Sequence, residues 1–206
     1  MGCNLRDMFI KDKGIVYIYG AGPSLRRVTK LKEGLHLFIN SAMYRFNTIK
    51  GAILFCDKRF FQGNQQKIYS FLESNKGVFP QCLWSKELEG NAFKYHPSHR
   101  VVKEKEQNSL MVGHSTLIPA LHFALLLKPD KIVIHGVDLD NRLHWNDNIR
   151  YCRPRIFNKV FPAQLKIIKE IQILLNSFKE VLVLSSNSES VLVEKGVLKF
   201  ESNNIR

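Results

Sequence analysis

The sequence predicts an α/β fold in which a mostly parallel sheet carries helices on both faces. Short apolar runs, rich in β-branched and aromatic residues, end at a glycine or a small polar residue. Residues 117–127 are almost wholly apolar, so we expect them to form a helix buried against the sheet. The chain has 206 residues, 45% of them hydrophobic, which is enough for one sizeable core. We therefore expect a single domain over residues 1–206, with 1–13 as a loosely held lead-in.

The first strand runs into a glycine-rich turn. Residues 15–19 are an apolar run, followed by Gly20-Ala21-Gly22-Pro23-Ser24-Leu25 and a helix-like segment. Glycines let a ligand approach the main chain closely, and Pro23 and Ser24 suit the first turn of a helix. Free N–H groups at a helix start attract phosphate, so the turn is a candidate nucleotide site. The alternative for a lone Gly-X-Gly is an ordinary strand, turn and helix. Because the third glycine of a dinucleotide fingerprint and the Gly-Lys-Ser/Thr of a P-loop are both missing, the turn favours a nucleotide site of another kind.

Two further strands end in polar residues. Residues 35–39 lead to Asn40, and residues 51–56 lead to Asp57. Ligands of open parallel sheets bind outside the carboxyl ends of the strands, so both side chains and the glycine turn are expected to line one crevice. Each residue taken singly is also a common helix-cap or turn residue. A helix is predicted over 58–73.

The middle of the chain is predicted to carry an insertion. Residues 76–112 hold short strand-like pieces and a mixed-charge run, and we expect a lid-like insertion over the site there. Ser115 and Thr116 then lead into the apolar helix over 117–127. His122 lies within that helix and is expected to be a core histidine with satisfied ring nitrogens.

The last third of the chain again places polar residues at strand ends. A strand over 131–136 ends in glycine, and Asp138 follows in a loop dense in polar residues. A long amphipathic helix is predicted over 161–178, and a last strand over 181–184. The run Ser185-Ser186-Asn187-Ser188 is expected to end that strand and to cap a short helix.

The chain is strongly basic. It has 31 Lys and Arg against 18 Asp and Glu, and the net charge of +13 predicts a polyanionic partner, either nucleic acid or an anionic membrane face. Four scattered cysteines without a CxxC pair fit reduced thiols and give no zinc pattern. No run approaches the ~20 apolar residues of a membrane span, and no signal region is seen at the start. We expect a cytoplasmic location, in a bacterium or in a virus-infected host cell.

An ordered set of motifs along the chain resembles one seen in a family of transferases. Gly20-Ala21-Gly22-Pro23-Ser24-Leu25 is similar to a Gly-X-Gly-Pro-Ser-Leu opening, and Ile134-His135-Gly136-Val137-Asp138-Leu139 to a Gly-X-Asp-Leu strand end. Ile39-Asn40-Ser41, Phe55-Cys56-Asp57 and His114-Ser115-Thr116 resemble the motifs between them. The set resembles the bacterial lipooligosaccharide sialyltransferases, the motility-accessory-factor type glycosyltransferases and the archaeal-type hydroxymethylpterin diphosphokinases. The likeness covers roughly residues 15–146.

The resemblance implies a glycosyltransferase with a single Rossmann-like domain, a nucleotide sugar as donor substrate, no cofactor and no metal requirement. The residues that it implies for donor binding are Gly20, Gly22, Pro23, Ser24, Asn40, Asp57, Ser115 and Thr116. The sequence departs from the sialyltransferases in two ways. Asp57 replaces an Asn, and no histidine stands just before the late helix, where those enzymes have their general base.

Glycosyl transfer needs a cradle for the leaving phosphate, groups that stabilise its charge, and a base for the acceptor proton. His144 is the first candidate base, because histidine titrates near neutral pH, and Asp138 is the second. The alternative for His144 is a hydrogen bond within a surface loop. The candidates for contact with the phosphate or the acceptor are Arg142, Arg150, Arg153 and Arg155.

The acceptor and the reaction class have open alternatives. The arginines lie among aromatic residues, which favours a modified base in DNA as acceptor, as in viral DNA modification, with base flipping or local opening. The alternative acceptor is lipooligosaccharide or another surface glycan. A pterin or nucleotide diphosphokinase on the same scaffold would need Mg²⁺, with Asp57, Asp138 and Asp140 as ligands. A non-catalytic basic binding module would leave the polar strand ends unexplained.

Overall fold

A computed structural model of the chain describes residues 14–46, 52–54, 58–74, 82–83, 92–93, 96–102, 109–139 and 157–202. The strands are β1 (Ile15–Tyr19), β2 (Leu35–Ile39), β3 (Ala52–Leu54), β4 (Cys82–Leu83), β5 (Ala92–Phe93), β6 (His96–Ser98), β7 (Ser109–Met111), β8 (Lys131–His135), β9 (Leu182–Ser185) and β10 (Lys199–Phe200). The α-helices are α1 (Lys58–Ser74), α2 (Leu117–Leu126), α3 (Phe157–Ser177) and α4 (Val191–Glu194). None of the described helices is long and apolar enough to cross a membrane.

Eight of the described strands form the main sheet, in the order β10-β9-β8-β1-β2-β3-β4-β5, and β6 pairs with β7 in a second sheet. Each pairing among the described strands is parallel. The predicted α/β fold with a mostly parallel sheet is therefore confirmed. The chain extends the sheet in one direction from β1 to β5, and then returns to place β8 on the other side of β1.

The two faces of the sheet have different chemistry. One face, called the aliphatic face here, packs Val16, Ile18, Leu37, Ile132 and Ile134 under α2 and α3. The other, the aromatic face, carries rings from three neighbouring strands, which are Tyr17, Tyr19, His36, Phe38 and His135. In the register of the sheet Tyr19 lies beside both Phe38 and His135.

The segment after the first strand differs from the prediction. Pro23–Arg27 is a five-residue 3₁₀ helix, not the start of a longer α-helix. The crossover from β1 to β2 has only the 15 residues 20–34, close to the minimum for joining parallel strands, which leaves little length for an α-helix. A second 3₁₀ helix, Asn40–Arg45, follows β2.

Several element bounds also move. The strand predicted over 131–136 ends at His135, because Gly136 turns the chain with φ of 64°. The late helix begins at Phe157 rather than 161, and the last predicted strand is shifted by one residue, to Leu182–Ser185. The short helix α4 is capped by Ser190, whose hydroxyl accepts from the N–H of Leu192. The run 185–188, expected to supply that cap, precedes it.

The strands described within 76–112 belong to the two sheets. β4 and β5 continue the main sheet beyond β3. β7 packs against α2, and Leu110 and Met111 are buried in the core of the aliphatic face. The remaining residues of the predicted lid lie outside the described part of the chain.

Candidate functional site

The site lies where the direction of sheet building reverses. β2, β3, β4 and β5 follow one another on one side of β1, and β8, β9 and β10 follow one another on the other side. The chain therefore extends the sheet in opposite directions from β1. Open α/β sheets bind ligands in the crevice outside the carboxyl ends of the strands at this switch point. The residues there are the glycine turn after β1, Asn40 after β2 and the 136–139 segment after β8.

The ends of β1 and β8 are in close backbone contact. The N–H of Gly20 donates to the carbonyl of His135, and the N–H of Gly22 to the carbonyl of Gly136, both at 2.7 Å. A Cβ on Gly20 would lie 2.5 Å from the Gly136 oxygen, and one on Gly22 would lie 2.5 Å from Asp138 Oδ2. In the free chain these glycines are therefore required by protein packing, whereas the sequence suggested close approach of a ligand.

Asp138 is only 2% exposed and accepts hydrogen bonds from three other segments. Its Oδ2 accepts from the backbone N–H of Ser24 at 2.9 Å, and its Oδ1 accepts from Asn187 Nδ2 at 2.7 Å. Its carbonyl accepts from the N–H of Val191. A helix-start N–H that was expected to face phosphate is therefore already bound to a carboxylate. We call Gly20, Gly22, Gly136, Asp138 and Asn187 the glycine junction.

Asn187 is a site residue that the sequence reasoning missed in this role. The sequence predicts only a polar run that ends a strand and caps a short helix, but Asn187 is 3% exposed and contacts both Asp138 and the 3₁₀ helix Pro23–Arg27. Its Oδ1 accepts from the N–H of Glu189 and lies 3.5 Å from Arg27 Nη1. Its position as a polar residue just after β9, like Asn40 after β2, was the available signal.

Three buried polar atoms beside the junction have no hydrogen-bond partner among the described residues: Ser24 Oγ, Asn40 Oδ1 and His135 Nδ1. They follow or end three adjacent strands, β1, β2 and β8. Buried polar atoms are normally bonded, so an open one at a ligand crevice indicates a place for a ligand group. Asn40 holds a left-handed backbone, with φ of 51°. We call these three the open atoms.

Burial controls the ionisation of the aromatic face. Desolvation lowers the pKa of His135 to about 4 and also lowers the pKa of His36, while it raises the pKa of Tyr19. The ring of His135 stacks on that of Tyr19 with centroids 5.1 Å apart, and Tyr19 Oη lies 3.1 Å from His36 Nδ1. At neutral pH these rings are therefore uncharged.

Ser115 and Thr116 lie at the start of α2. Ser115 Oγ accepts from the N–H of Leu117 at 3.2 Å, so this hydroxyl satisfies one free donor of the helix start. In the core of the same helix His122 accepts from the N–H of Met111 and donates to the carbonyl of Val102. The expectation that His122 is a satisfied core histidine is confirmed.

The other predicted site residues lie outside the described part of the chain: Asp57, Asp140, Arg142, His144, Arg150, Arg153 and Arg155. Among the described residues, no group of three or more His, Cys, Asp or Glu side chains is placed to hold a metal ion.

Comparisons with known proteins give one structural likeness. No family model and no curated protein matches the chain. The crystal structure of the sialyltransferase CST-II in complex with a trisaccharide acceptor and CMP is similar over 92% of this chain and 86% of that chain. The sequence identity is 13% and the TM-score is 0.40.

Proposed function

We propose that this protein is a glycosyltransferase that moves a sugar from a nucleotide-sugar donor to an acceptor without a metal ion. The observation that carries the proposal is the pair of buried, unpartnered atoms Ser24 Oγ and Asn40 Oδ1 at the switch point of the sheet. A serine hydroxyl can donate to a phosphate oxygen, and an amide oxygen can accept from a ribose hydroxyl or a base amino group. The motif resemblance supplies the donor class.

In this proposal the donor nucleotide lies across the carboxyl ends of β1 and β2. Ser24 and Asn40 make direct contacts, and Ser115 and Thr116 face the same edge from the start of α2. Asp57 after β3 and the four arginines on the leaving phosphate or the acceptor keep the roles that the sequence suggests, and His144 is the base candidate from the sequence alone. Preorganised donors around the leaving phosphate would stabilise its charge as the glycosidic bond breaks.

Asp138 fits an anchoring role better than that of the base. A base must reach the proton that it removes, but this carboxylate is buried and each of its oxygens already accepts a hydrogen bond. The same contacts weigh against Asp138 as a ligand of hydrated Mg²⁺, and so against the diphosphokinase alternative. We propose that Asp138 holds the glycine turn in position while a histidine removes the proton.

For the acceptor we retain a hydroxyl-bearing base in DNA as the first hypothesis and a surface glycan as the second. The DNA hypothesis depends on the net charge of +13 and on arginines outside the described residues. The two acceptors differ in the expected salt dependence of binding. An enzyme bound to DNA neutralises several phosphates, so its affinity falls steeply as the salt concentration rises. A neutral oligosaccharide acceptor would bind with little dependence on salt.

The first experiment measures nucleotide binding by titration calorimetry with CMP, UMP, UDP and GDP, in EDTA and in Mg²⁺. We expect one nucleotide to bind equally well in EDTA, and Asn40→Gly to weaken it about tenfold, by loss of a hydrogen bond worth about 1.4 kcal/mol. Glycine keeps the left-handed backbone of Asn40 without strain.

Lys128→Gly is the matched control, because Lys128 has the same φ of 51° but precedes β8 at the opposite edge of the sheet. It should leave nucleotide affinity unchanged. Transfer assays with the corresponding nucleotide sugars, using duplex DNA and oligosaccharides, then separate the two acceptors. If no nucleotide binds the folded chain, or if binding requires Mg²⁺, the proposed function is wrong.

A further inference from the structure

A histidine and a carboxylate form a close pair beside the start of α2. His114 Nδ1 lies 2.6 Å from Glu170 Oε1, and the backbone N–H of His114 donates to Glu170 Oε2 at 3.0 Å. Because a carboxylate only accepts, Nδ1–H is the donor and Nε2 carries the free lone pair. The histidine side chain is 47% exposed, whereas that of Glu170 is 15% exposed. The ring is therefore held at Nδ1 by a mostly buried carboxylate, while the rest of the ring is partly exposed.

The pair is rigidly placed. A Cβ on Gly113 would overlap the carboxylate of Glu170, so that carboxylate lies directly against the backbone just before His114. With both oxygens bound to one residue, Glu170 fixes the tautomer and the orientation of the ring together. This arrangement, in which a carboxylate orients a histidine through Nδ1, prepares Nε2 to take up a proton.

The topology brings His114 to the edge that carries the open atoms. α2 leads through residues 127–130 into the first residue of β8, and the N–H of Asp130 donates to the carbonyl of Gly14, just before β1. The end of α2 is therefore at the amino edge of the sheet and its start at the carboxyl edge. The helix packs on β1 and β2, the two strands that Gly20 and Asn40 follow. α3, which carries Glu170, packs beside α2.

The other histidines whose side chains can be compared are differently placed. His122 has both ring nitrogens in hydrogen bonds and is fully buried. His36 and His135 are buried on the aromatic face. His99 is exposed after β6. His114 combines an orienting carboxylate with an exposed ring, which the buried histidines lack.

We infer that His114, rather than His144, is the general base of the transfer reaction and that Glu170 is its positioning residue; this inference rests on the proposed function. His114 Nε2 takes the proton of the acceptor hydroxyl as the acceptor oxygen bonds to the anomeric carbon. The bond between that carbon and the phosphate oxygen breaks, and its electron pair leaves with the nucleotide. The proton then passes from the imidazolium to solvent, which restores the free base.

The test compares His114→Asn, His114→Ala and Glu170→Gln with the parent chain. An Asn amide N–H can keep the bond to Glu170 but has no group that accepts the proton, so this variant separates positioning from base chemistry. We expect kcat to fall about 100-fold or more in both histidine variants, with nucleotide affinity unchanged within twofold. Added imidazole should restore part of the activity of His114→Ala. His99→Ala is the matched control and should keep full activity.

Glu170→Gln needs a readout that a purely structural role would not change. We expect kcat to fall roughly 10- to 100-fold at unchanged nucleotide affinity. Ring ¹⁵N shifts of His114 should show Nδ1–H in the parent chain and a gain of the Nε2–H tautomer in the variant, because the Gln amide can donate to Nδ1.

The outcomes separate this inference from the function on which it rests. If the parent chain binds no nucleotide or transfers no sugar, the proposed function is wrong and the inference is wrong with it. If the parent chain is active and His114→Asn keeps more than half of its kcat, the inference alone is overturned. Loss of nucleotide affinity in a folded His114→Asn chain would also overturn it, because that result assigns His114 to donor binding.

Discussion

The glycine junction and the open atoms occupy the same edge of the sheet, but the polar groups of the junction have hydrogen-bond partners and the open atoms have none among the described residues. In the junction, Gly20, Gly22 and Asp138 have their hydrogen bonds satisfied by neighbouring segments, and a Cβ on either glycine would collide with the end of β8. Ser24 Oγ and Asn40 Oδ1 are also buried atoms but have no described partner. The comparison indicates that one set stabilises the fold, and under the proposed function the other contacts the donor nucleotide.

This separation is expected in a preorganised binding site. Rigid elements hold a few polar atoms in place before the ligand arrives, so the ligand does not have to order them. The unpartnered buried atoms lower the stability of the free chain, each by about 1–3 kcal/mol. Substitutions in the junction should therefore reduce stability, whereas substitutions at Ser24 and Asn40 should reduce affinity.

Gly136→Ala should give the largest effect, on stability. Gly136 has φ of 64°, and a Cβ there would overlap the carbonyl of Gly20 and lie 2.9 Å from Leu25 Cβ. Left-handed strain of about 1–2 kcal/mol and overpacking of about 1–3 kcal/mol add to an expected loss of about 3 kcal/mol or more. Urea denaturation measures it.

Gly196→Ala is the control for this prediction. Gly196 has nearly the same φ, 66°, and no atom within 4 Å of an added Cβ, so it carries the strain without the collision. We expect a loss of about 1 kcal/mol there. Equal losses at the two positions would show that the junction is not tightly packed.

His135 gives a second test, through pH. Its pKa is about 4 in the folded chain and about 6.5 when unfolded, so the unfolded state binds more protons between these values. The stability from the uncharged ring is complete above pH 6.5 and is lost as pH falls toward 4, by about 2.5 kcal/mol at pH 4.5. His135→Phe should remove this part of the pH dependence. A variant with the parent's pH profile would show that His135 is not desolvated.

Asn187→Ala should cost about 2 kcal/mol, because it removes the donor to Asp138 Oδ1 and leaves that buried oxygen without it. Ser188→Ala changes the adjacent, exposed residue and should stay within about 0.5 kcal/mol of the parent. Thermal unfolding of the two variants measures the difference. Similar stabilities would remove Asn187 from the junction.

The strands and the crevice were predictable because they depend on local patterns. Apolar runs with polar ends identify β1, β2 and β8, and a parallel sheet then places Gly20 and Asn40 at one edge. The bond between Asp138 and Asn187 spans 49 positions, and the one from Ser24 to Asp138 spans 114. No local pattern encodes such contacts, so the sequence presents Asp138 as a candidate base and gives Asn187 no role beyond ending a strand and capping a short helix.

Ser24→Ala gives the smallest effect and the sharpest test, because its two consequences have opposite signs. Removing a buried hydroxyl without a partner should leave stability unchanged or raise it by up to about 1 kcal/mol, since the N–H of Ser24 still binds Asp138. Affinity for the donor nucleotide should fall about tenfold, or about 1.4 kcal/mol, measured by calorimetry. A loss of stability above 1 kcal/mol would show that the hydroxyl has a partner in the free chain. Ser24 would then belong to the junction, and Asn40 alone would carry the nucleotide proposal.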